Sequence, residues 1–310
     1  LRLYYFTSEE RPPRLAVGSD TVVVDLERAW TALDRGDPDL NRRTLLRSPS
    51  FFLQEGPKWW SEAADLARQA VAMPETHVDL AEVGLLSPVT PASLRDFSAF
   101  EDHVKRGAER RGEAVPAYWY EAPVYYKGNH REVIGPGEEC SWPLYSRTLD
   151  FELEMAMVVG VRGRNISAAD AHDHIFGFTI FNDFSARDVQ AKEMSARLGP
   201  AKSKDFANAL GPCVVTVDEV GPEPDLEMVC RVNGEEWGRA SSSEAHWSWA
   251  QMLEHVSAAE NVYPGDVYGS GTPGGCCGLD LGRELAPGDV VELEIESIGV
   301  LRNTIGPLPA

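Results

Sequence analysis

The sequence is short of positive charge. Lys and Arg number 29 against 49 Asp and Glu, a formal net charge of −20, with an isoelectric point near 4.7. Polyanions are held by basic patches and runs. The one dense basic run, KRGAERRG at 105–112, is broken by Glu109 and reads as a solvated helix face. No nucleic acid and no anionic membrane is therefore expected as a partner. Cysteine is also sparse. Cys140, Cys213, Cys230, Cys276 and Cys277 are odd in number and scattered, which suits neither a disulfide framework nor a zinc site. A reducing compartment follows, and a cytoplasmic location is expected. Cys276 and Cys277 lie in a glycine-rich turn where exposure is open to them, and no nucleophilic role follows without a lowered pKa. No apolar run reaches membrane-spanning length and no signal peptide is visible. The sequon Asn165-Ile166-Ser167 consequently carries no weight.

Core material, by contrast, is ample. Hydrophobic residues make up 43% of the 310 and Trp occurs eight times, enough for one large domain or two smaller ones. Residues 1–83 read as a small leading α+β domain. LRLYYFT and TVVVDL are predicted strands around a turn-rich GSD, and SEAADLARQAV at 61–71 is a short amphipathic helix. LLSPVTPAS at 85–93, with two prolines, reads as a connector into a second unit, 84–310. That unit is mostly short strands. APVYYK, HIFGFTIFND, GPCVVTVD, a hairpin around Asn233-Gly234 and a closing strand pair in PGDVVELEIESIGVLRNTI are predicted, with one clear helix at 243–259 and a Ser241/Glu244 capping box. The fold class is strand-rich α+β, without the alternating rhythm of a doubly wound sheet.

The informative stretch is LDFELEMAMVVG at 149–160. With a period of two, Glu152 and Glu154 share a face with Ala156 and Val158. An E-x-E pair also suits a strand with one face in water, as VVELEIES at 290–297 illustrates, where Glu292, Glu294 and Glu296 stay acidic throughout. In 149–160 the acidic face turns apolar instead. Two carboxylates then stand at the mouth of a core with no Lys or Arg inside the strand. A buried carboxylate needs a partner, and a hard divalent cation prefers oxygen.

Further candidates lie at other points of the chain. Asp183 ends the apolar strand in GFTIFNDFSARDVQ; it serves either as a helix cap or, with Glu152 and Glu154, as a third oxygen for Mg2+ or Mn2+, Ca2+ not being distinguished. SLRDFSAFEDHV at 93–104 is predicted as a short helix capped by Ser93, with Asp96, Phe100 and His103 on one face. It is either an amphipathic surface helix or a means of bringing Asp96 to a metal and His103 over a substrate, with Glu101 near enough to orient the imidazole. GPAKSKDFANALGP holds Lys202 and Lys204, either exposed or placed to neutralise an oxyanion. GDVYGSGTPGGCCG contains a literal G-x-G-x-x-G at Gly269, Gly271 and Gly274, but Pro273 and the lack of a following helix rule out a dinucleotide fingerprint. A tight turn that brings backbone and Thr272 to a small ligand fits better.

In this order, RDFSAFEDHV, the E-x-E of LDFELEMAMVVG, NDFSARDVQ, and AKSKDFANALGP followed by GSGTPGG resemble the fumarylacetoacetate hydrolase family over roughly residues 83–305. The resemblance implies a mixed β-roll, paired as a homodimer. It implies Glu152, Glu154 and Asp183 as metal ligands and Asp96 as a fourth, as in the branch that keeps an Asp/His pair ahead of the E-x-E. It further implies His103 as the catalytic histidine, Lys202 rather than Lys204 as the family lysine, and Arg187, Gln190 and Thr272 as substrate-facing residues. The segment GGCCGLDLG departs from the family, and the glutamate that some branches bring from there to the histidine is not evident; Glu101 is the substitute. The implied reaction is metal-dependent hydrolysis of a C–C bond in an acylpyruvate-like or other β-diketo or 2-oxo acid. His103 would activate water, and metal and Lys202 would hold the enolate. A lyase or isomerase using the same metal–enolate site, such as a decarboxylase or dehydratase, is the rival. A catalytically vestigial metal-binding dimer is the third reading.

Overall fold

The strand Leu153–Val159 is buried along its whole length. Two different cores cover its two faces. Met155, Met157 and Val159 enter one hydrophobic cluster, while Ala156 and Val158 enter another. The switch from acid to Ala and Val along one face therefore marks the point where the strand passes under cover. The computed structural model describes residues 1–8, 11–18, 22–33 and 39–309.

Leu153–Val159 lies inside a large mixed sheet. In spatial order this sheet runs Val23–Asp25, Arg11–Gly18, Arg2–Ser8, Asn208–Thr216, Ile175–Asp183, Leu153–Val159, Asp266–Gly269, Ser93–Phe97 and Tyr125–Gly128. Most neighbours are antiparallel, but Asp266–Gly269 and Ser93–Phe97 pair in parallel. A second sheet is built from Glu235–Ser241, Glu227–Val232, Val290–Ile295, Gly299–Ile305 and Glu139–Cys140. The core between the sheets takes Phe178, Ile180, Met228, Leu293 and the helix Trp249–Ser257. On the far side of the large sheet, Phe52, Trp59, Leu66 and other residues of the helices between 26 and 70 form the second core. Each fully buried Phe or Leu there is worth roughly 1.5–3 kcal/mol.

The architecture is the expected strand-rich α+β roll. Residues 1–83, read as a leading domain, share one continuous sheet with the rest, because Arg2–Ser8 pairs with Asn208–Thr216. The predicted strand TVVVDL is realised as Val23–Asp25, whereas Ser19 and Asp20 of the expected turn lie outside the described residues. The helix foreseen at 61–71 is part of Pro57–Ala70. The connector at 85–93 begins as a short strand, Gly84–Leu86, paired to Arg2–Ser8. The control strand behaves as its pattern requires, with Val291, Leu293 and Ile295 buried and Glu292 and Glu294 turned outward. Asn233 and Gly234 both adopt positive φ in the predicted hairpin.

Two elements differ. SLRDFSAFEDHV is not one helix: Ser93–Phe97 is a strand and Glu101–Arg111 a helix. The parallel pairing with Asp266–Gly269 captures the first half. Residues 243–259 divide into a short turn of helix, Ser242–Glu244, capped by the Ser241/Glu244 box, and Trp249–Ser257, with a second box of Ser248 and Gln251.

Candidate metal centre

Four carboxylates converge where these strands end. Asp96 sits in Ser93–Phe97, Glu152 and Glu154 at the start of Leu153–Val159, and Asp183 at the end of Ile175–Asp183. Strand register brings them together. Leu153 pairs with Asn182, Ala156 with Gly269, and Gly269 with Asp96. One oxygen from each of the four lies within 4.8 Å of the others, and all four residues are buried. Gly269 makes this possible: a Cβ there would stand 2.6 Å from Asp96 Oδ1 and 2.7 Å from Glu154 Oε2. Gly271, at φ +79°, turns its backbone N–H onto both, donating to Glu154 Oε2 at 2.9 Å and Asp96 Oδ1 at 3.2 Å.

Among the described residues, positive charge reaches one side of this cluster. Lys204 Nζ donates to Glu152 Oε2 at 2.7 Å and also to Asp183 Oδ2. Tyr126 donates its phenol to the same Asp183 oxygen at 2.8 Å. Arg187 Nη2 donates to Glu152 Oε1 and Nε to Asp150 Oδ2, each at 2.8 Å. No described Lys or Arg pairs with Asp96 or Glu154. Glu154 Oε1 and Asp183 Oδ1 are buried with no hydrogen-bond partner. Such orphaned acceptors are costly, and a cation satisfies both.

The titration pattern has the same cause. Burial pushes Glu152 up, but Lys204, Arg187 and His103 outweigh it and hold the carboxyl below the usual range. Burial, then the neighbouring carboxylates, push Asp96 and Glu154 well above it. Burial also raises Asp183, against the pull of Lys204. Two to three excess negative charges must be met by protons or by a cation. The donor set is all oxygen, which fits a hard divalent ion such as Mg2+ or Mn2+.

Beside the cluster, His103 Nδ1 lies 2.9 Å from Asp280 Oδ2. Burial acts against ionised Asp280, yet His103, the Gly275 N–H and Arg110 bring it down to about 2. Asp280 belongs to the short helix Gly278–Leu281, whose first N–H groups, on Gly278 and Leu279, donate to Asp150. Asp150 thus ties Arg187 and the Asp280 helix together. An isolated bridge between Glu152 and Cys277 places this loop against the carboxylates.

Residues 93–306 match the family model described as fumarylacetoacetate (FAA) hydrolase C-terminal. The chain belongs to the fumarylacetoacetate hydrolase family. Among its family relatives, "Oxaloacetate tautomerase FAHD2A, mitochondrial" of Homo sapiens is 32% identical over 84% of this chain and 81% of its own length. "Oxaloacetate tautomerase YisK" of Bacillus subtilis is 31% identical over 97% of this chain and 99% of its own. The crystal structure of 5-carboxymethyl-2-hydroxymuconate delta-isomerase from Mycobacterium smegmatis is 25% identical, with a TM-score of 0.68 over 99% of this chain and 100% of that one.

The residues selected from sequence by resemblance to this family fall into three groups. Asp96, Glu152, Glu154 and Asp183 come together, and His103 stands beside them. Arg187 and Gln190 are joined by a 2.9 Å hydrogen bond at the cluster's edge. Thr272 lies beside Gly271 but spends its hydroxyl on the backbone of Cys276. Lys202 and Glu101 are misplaced expectations. Lys202 is exposed, with its ammonium over the Tyr145 ring, and Lys204 is the lysine in the cluster. Glu101 points outward to Tyr120 and Lys105, because it opens a regular helix in which residue 103 faces elsewhere. Asp280 partners His103 instead. Cys276 and Cys277 are buried, as are the other cysteines, and unpaired by disulfides. The Asp183 cap is also unrealised, since the helix Arg187–Ser195 starts after Ala186. Asp280 was within reach of sequence inspection: it stands in the very segment searched for a glutamate.

Proposed function

We propose that this chain is a divalent-metal-dependent enzyme that interconverts the keto and enol forms of a small 2-oxo acid, of the oxaloacetate type. The observation that carries the reading is a carboxylate cluster with orphaned oxygens on Glu154 and Asp183, whose Glu152 feels the charge of a carboxylate-held imidazole, His103. The two relatives named as oxaloacetate tautomerases support the choice of reaction.

Asp96, Glu152, Glu154 and Asp183 would hold the ion. When bound it supplies Lewis-acid polarisation of the 2-oxo group. The chain's own residues do the rest. Asp280 accepts a hydrogen bond from the Nδ1–H of His103, which leaves Nε2 unprotonated as the base for the carbon-bound proton next to the carbonyl. The same nitrogen delivers that proton to the carbonyl oxygen, which gives the enol, and the reverse transfer restores the keto form. A positioned base of this kind contributes about 10²–10⁴ in rate. Lys204, charged and buried, offsets negative charge on the Glu152–Asp183 side. Arg187 is braced by Asp150 and Gln190, which fixes the wall of the site.

Hydrolytic C–C cleavage is the second reading. One observation favours it: the His103 side chain keeps 21% of its surface exposed, so water reaches the base. Homodimer formation and a cytoplasmic location remain part of the proposal; no helix among the described residues is long and apolar enough to cross a membrane.

The test is to follow the enol absorbance of oxaloacetate with Mg2+ or Mn2+ while assaying products. Faster equilibration without new products is expected. Release of pyruvate and CO2 would make it a decarboxylase. Cleavage of acetylpyruvate into two acids, with no tautomerase activity, would restore the hydrolase. Silence across all of these would favour a vestigial site.

A further inference from the structure

Next to the carboxylate cluster lies a second group of potential ligands with different chemistry. His103, Cys277 and Asp280 each present one donor atom, and these atoms lie within 4.8 Å of one another. The set is one imidazole nitrogen, one thiol sulfur and one carboxylate oxygen. That mixture is poorly suited to Mg2+ and well suited to zinc-like ions.

The nitrogen–oxygen edge needs little adjustment. A tetrahedral Zn2+ with ordinary bond lengths separates N and O donors by about 3.3 Å and S and N donors by about 3.6 Å. His103 Nδ1 and Asp280 Oδ2 already stand 2.9 Å apart, so the N–O edge opens by only a few tenths of an ångström. Asp280 is held in place by the Gly275 N–H, which donates to Oδ2 at 3.0 Å, and by Arg110, which donates to Oδ1 at 2.8 Å. Outer hydrogen bonds of this kind fix a ligating carboxylate. Cys277 is fully buried and fixed opposite Glu152. The His103 side chain is partly exposed, which gives water access to complete the set.

We propose that His103, Cys277 and Asp280 form a distinct site for a borderline-soft divalent cation such as Zn2+, with the Cys277 proton released on binding. The two neighbouring sites then sort metals by hardness: four carboxylates for the hard ion, the N/S/O set for the soft one. An ion held through Nδ1 shifts the imidazole proton to Nε2, the nitrogen that acts as the base, and so stops proton transfer. This last consequence rests on the role given to His103 above; the site itself does not.

Cd2+ is the probe, because a cadmium–thiolate bond has its own ultraviolet charge-transfer band. The full-length protein is titrated with Cd2+ in excess Mg2+, and absorbance and turnover are both read. We expect the band to saturate near one equivalent, to vanish in Cys277→Ser, and to persist in Cys276→Ser and Glu154→Gln. His103→Ala should weaken Cd2+ binding about tenfold or more, which keeps the assignment from hanging on one variant. A wild-type protein without the band, or a band unchanged in Cys277→Ser, overturns the site. A Cys277-dependent band without loss of turnover upholds the site and refutes the role of His103 instead.

Discussion

His103 and Asp280, 177 residues apart in the chain, meet at 2.9 Å. Asp280 in turn is set by a helix whose start is held by Asp150, two residues before Glu152. The base and the carboxylate cluster therefore share one support. His103→Ala is expected to bind Mg2+ or Mn2+ normally, by calorimetry, and to lose about 10²–10⁴ in kcat. Asp280→Asn should lose less, with KM little changed, since it alters the orientation and charge of the imidazole and not its presence. Full activity in His103→Ala would place the base elsewhere.

Asp280 also predicts a pH effect on stability. Its folded-state pKa of about 2 lies below the ordinary carboxyl value of 3.8. A depressed carboxyl stabilises the fold above the unfolded pKa and loses that contribution as pH falls through the folded one. The stability gap between wild type and Asp280→Asn should hold above about pH 4 and shrink as pH falls toward 2. Urea unfolding of both proteins across that range measures it. A gap independent of pH would mean that Asp280 acts by packing and not by charge.

The two lysines make a sharp pair. Lys204→Met leaves Glu152 and Asp183 without their shared ammonium. Loss of one partner in a buried pair costs about 3–5 kcal/mol, so the metal-free variant should melt far lower and recover in part with Mg2+. Lys202→Met should match wild type in melting and turnover. Differential scanning calorimetry with and without Mg2+ decides between them.

Part of this site was legible in the sequence because local pattern encodes it. The change from Glu152 and Glu154 to Ala156 and Val158 on one face gives away a strand running under cover, and Asp183 closes the next apolar run. Asp96 was selected for the right cluster on the wrong element, because a parallel strand partner 173 residues away overrides the helical spacing of SLRDF. Lys204 was passed over in favour of Lys202 for a different reason. Glu193 accepts the backbone N–H groups of Ala201, Lys202 and Ser203. It winds the chain into a turn that sends residue 202 out and residue 204 in. Spacing along the sequence does not reveal such a turn. Continuity of residues 1–83 with the main sheet was hidden likewise, since it depends on pairing across more than 200 residues.

Gly269→Ala tests the floor of the cluster. The added methyl carbon would stand 2.6 Å from Asp96 Oδ1, 2.7 Å from Glu154 Oε2 and 2.8 Å from the Phe181 ring. None of the three can retreat freely, because all are buried. We expect a folded but destabilised protein, by about 1–3 kcal/mol, with metal affinity reduced more than stability. Calorimetric Mn2+ titration beside a denaturant melt separates the two. Unaltered affinity would mean that the two carboxylates need not approach over this residue.

Glu154→Gln should move stability in opposite directions with and without metal. In the metal-free protein, Glu154 and Asp96 accept from one backbone N–H, that of Gly271, and repel whenever both are ionised, so a proton must be taken up to relieve them. A neutral amide removes that repulsion, so the metal-free variant is expected to melt above metal-free wild type. With Mg2+ at about 100 times its Kd, wild type gains about 2.7 kcal/mol. The variant, lacking a ligand charge, should gain far less and lose turnover with it. The order of the two melting temperatures thus reverses on adding metal. A variant that is destabilised without metal, yet gains as much as wild type from Mg2+, would show that Glu154 is a packing residue and that the ion binds elsewhere.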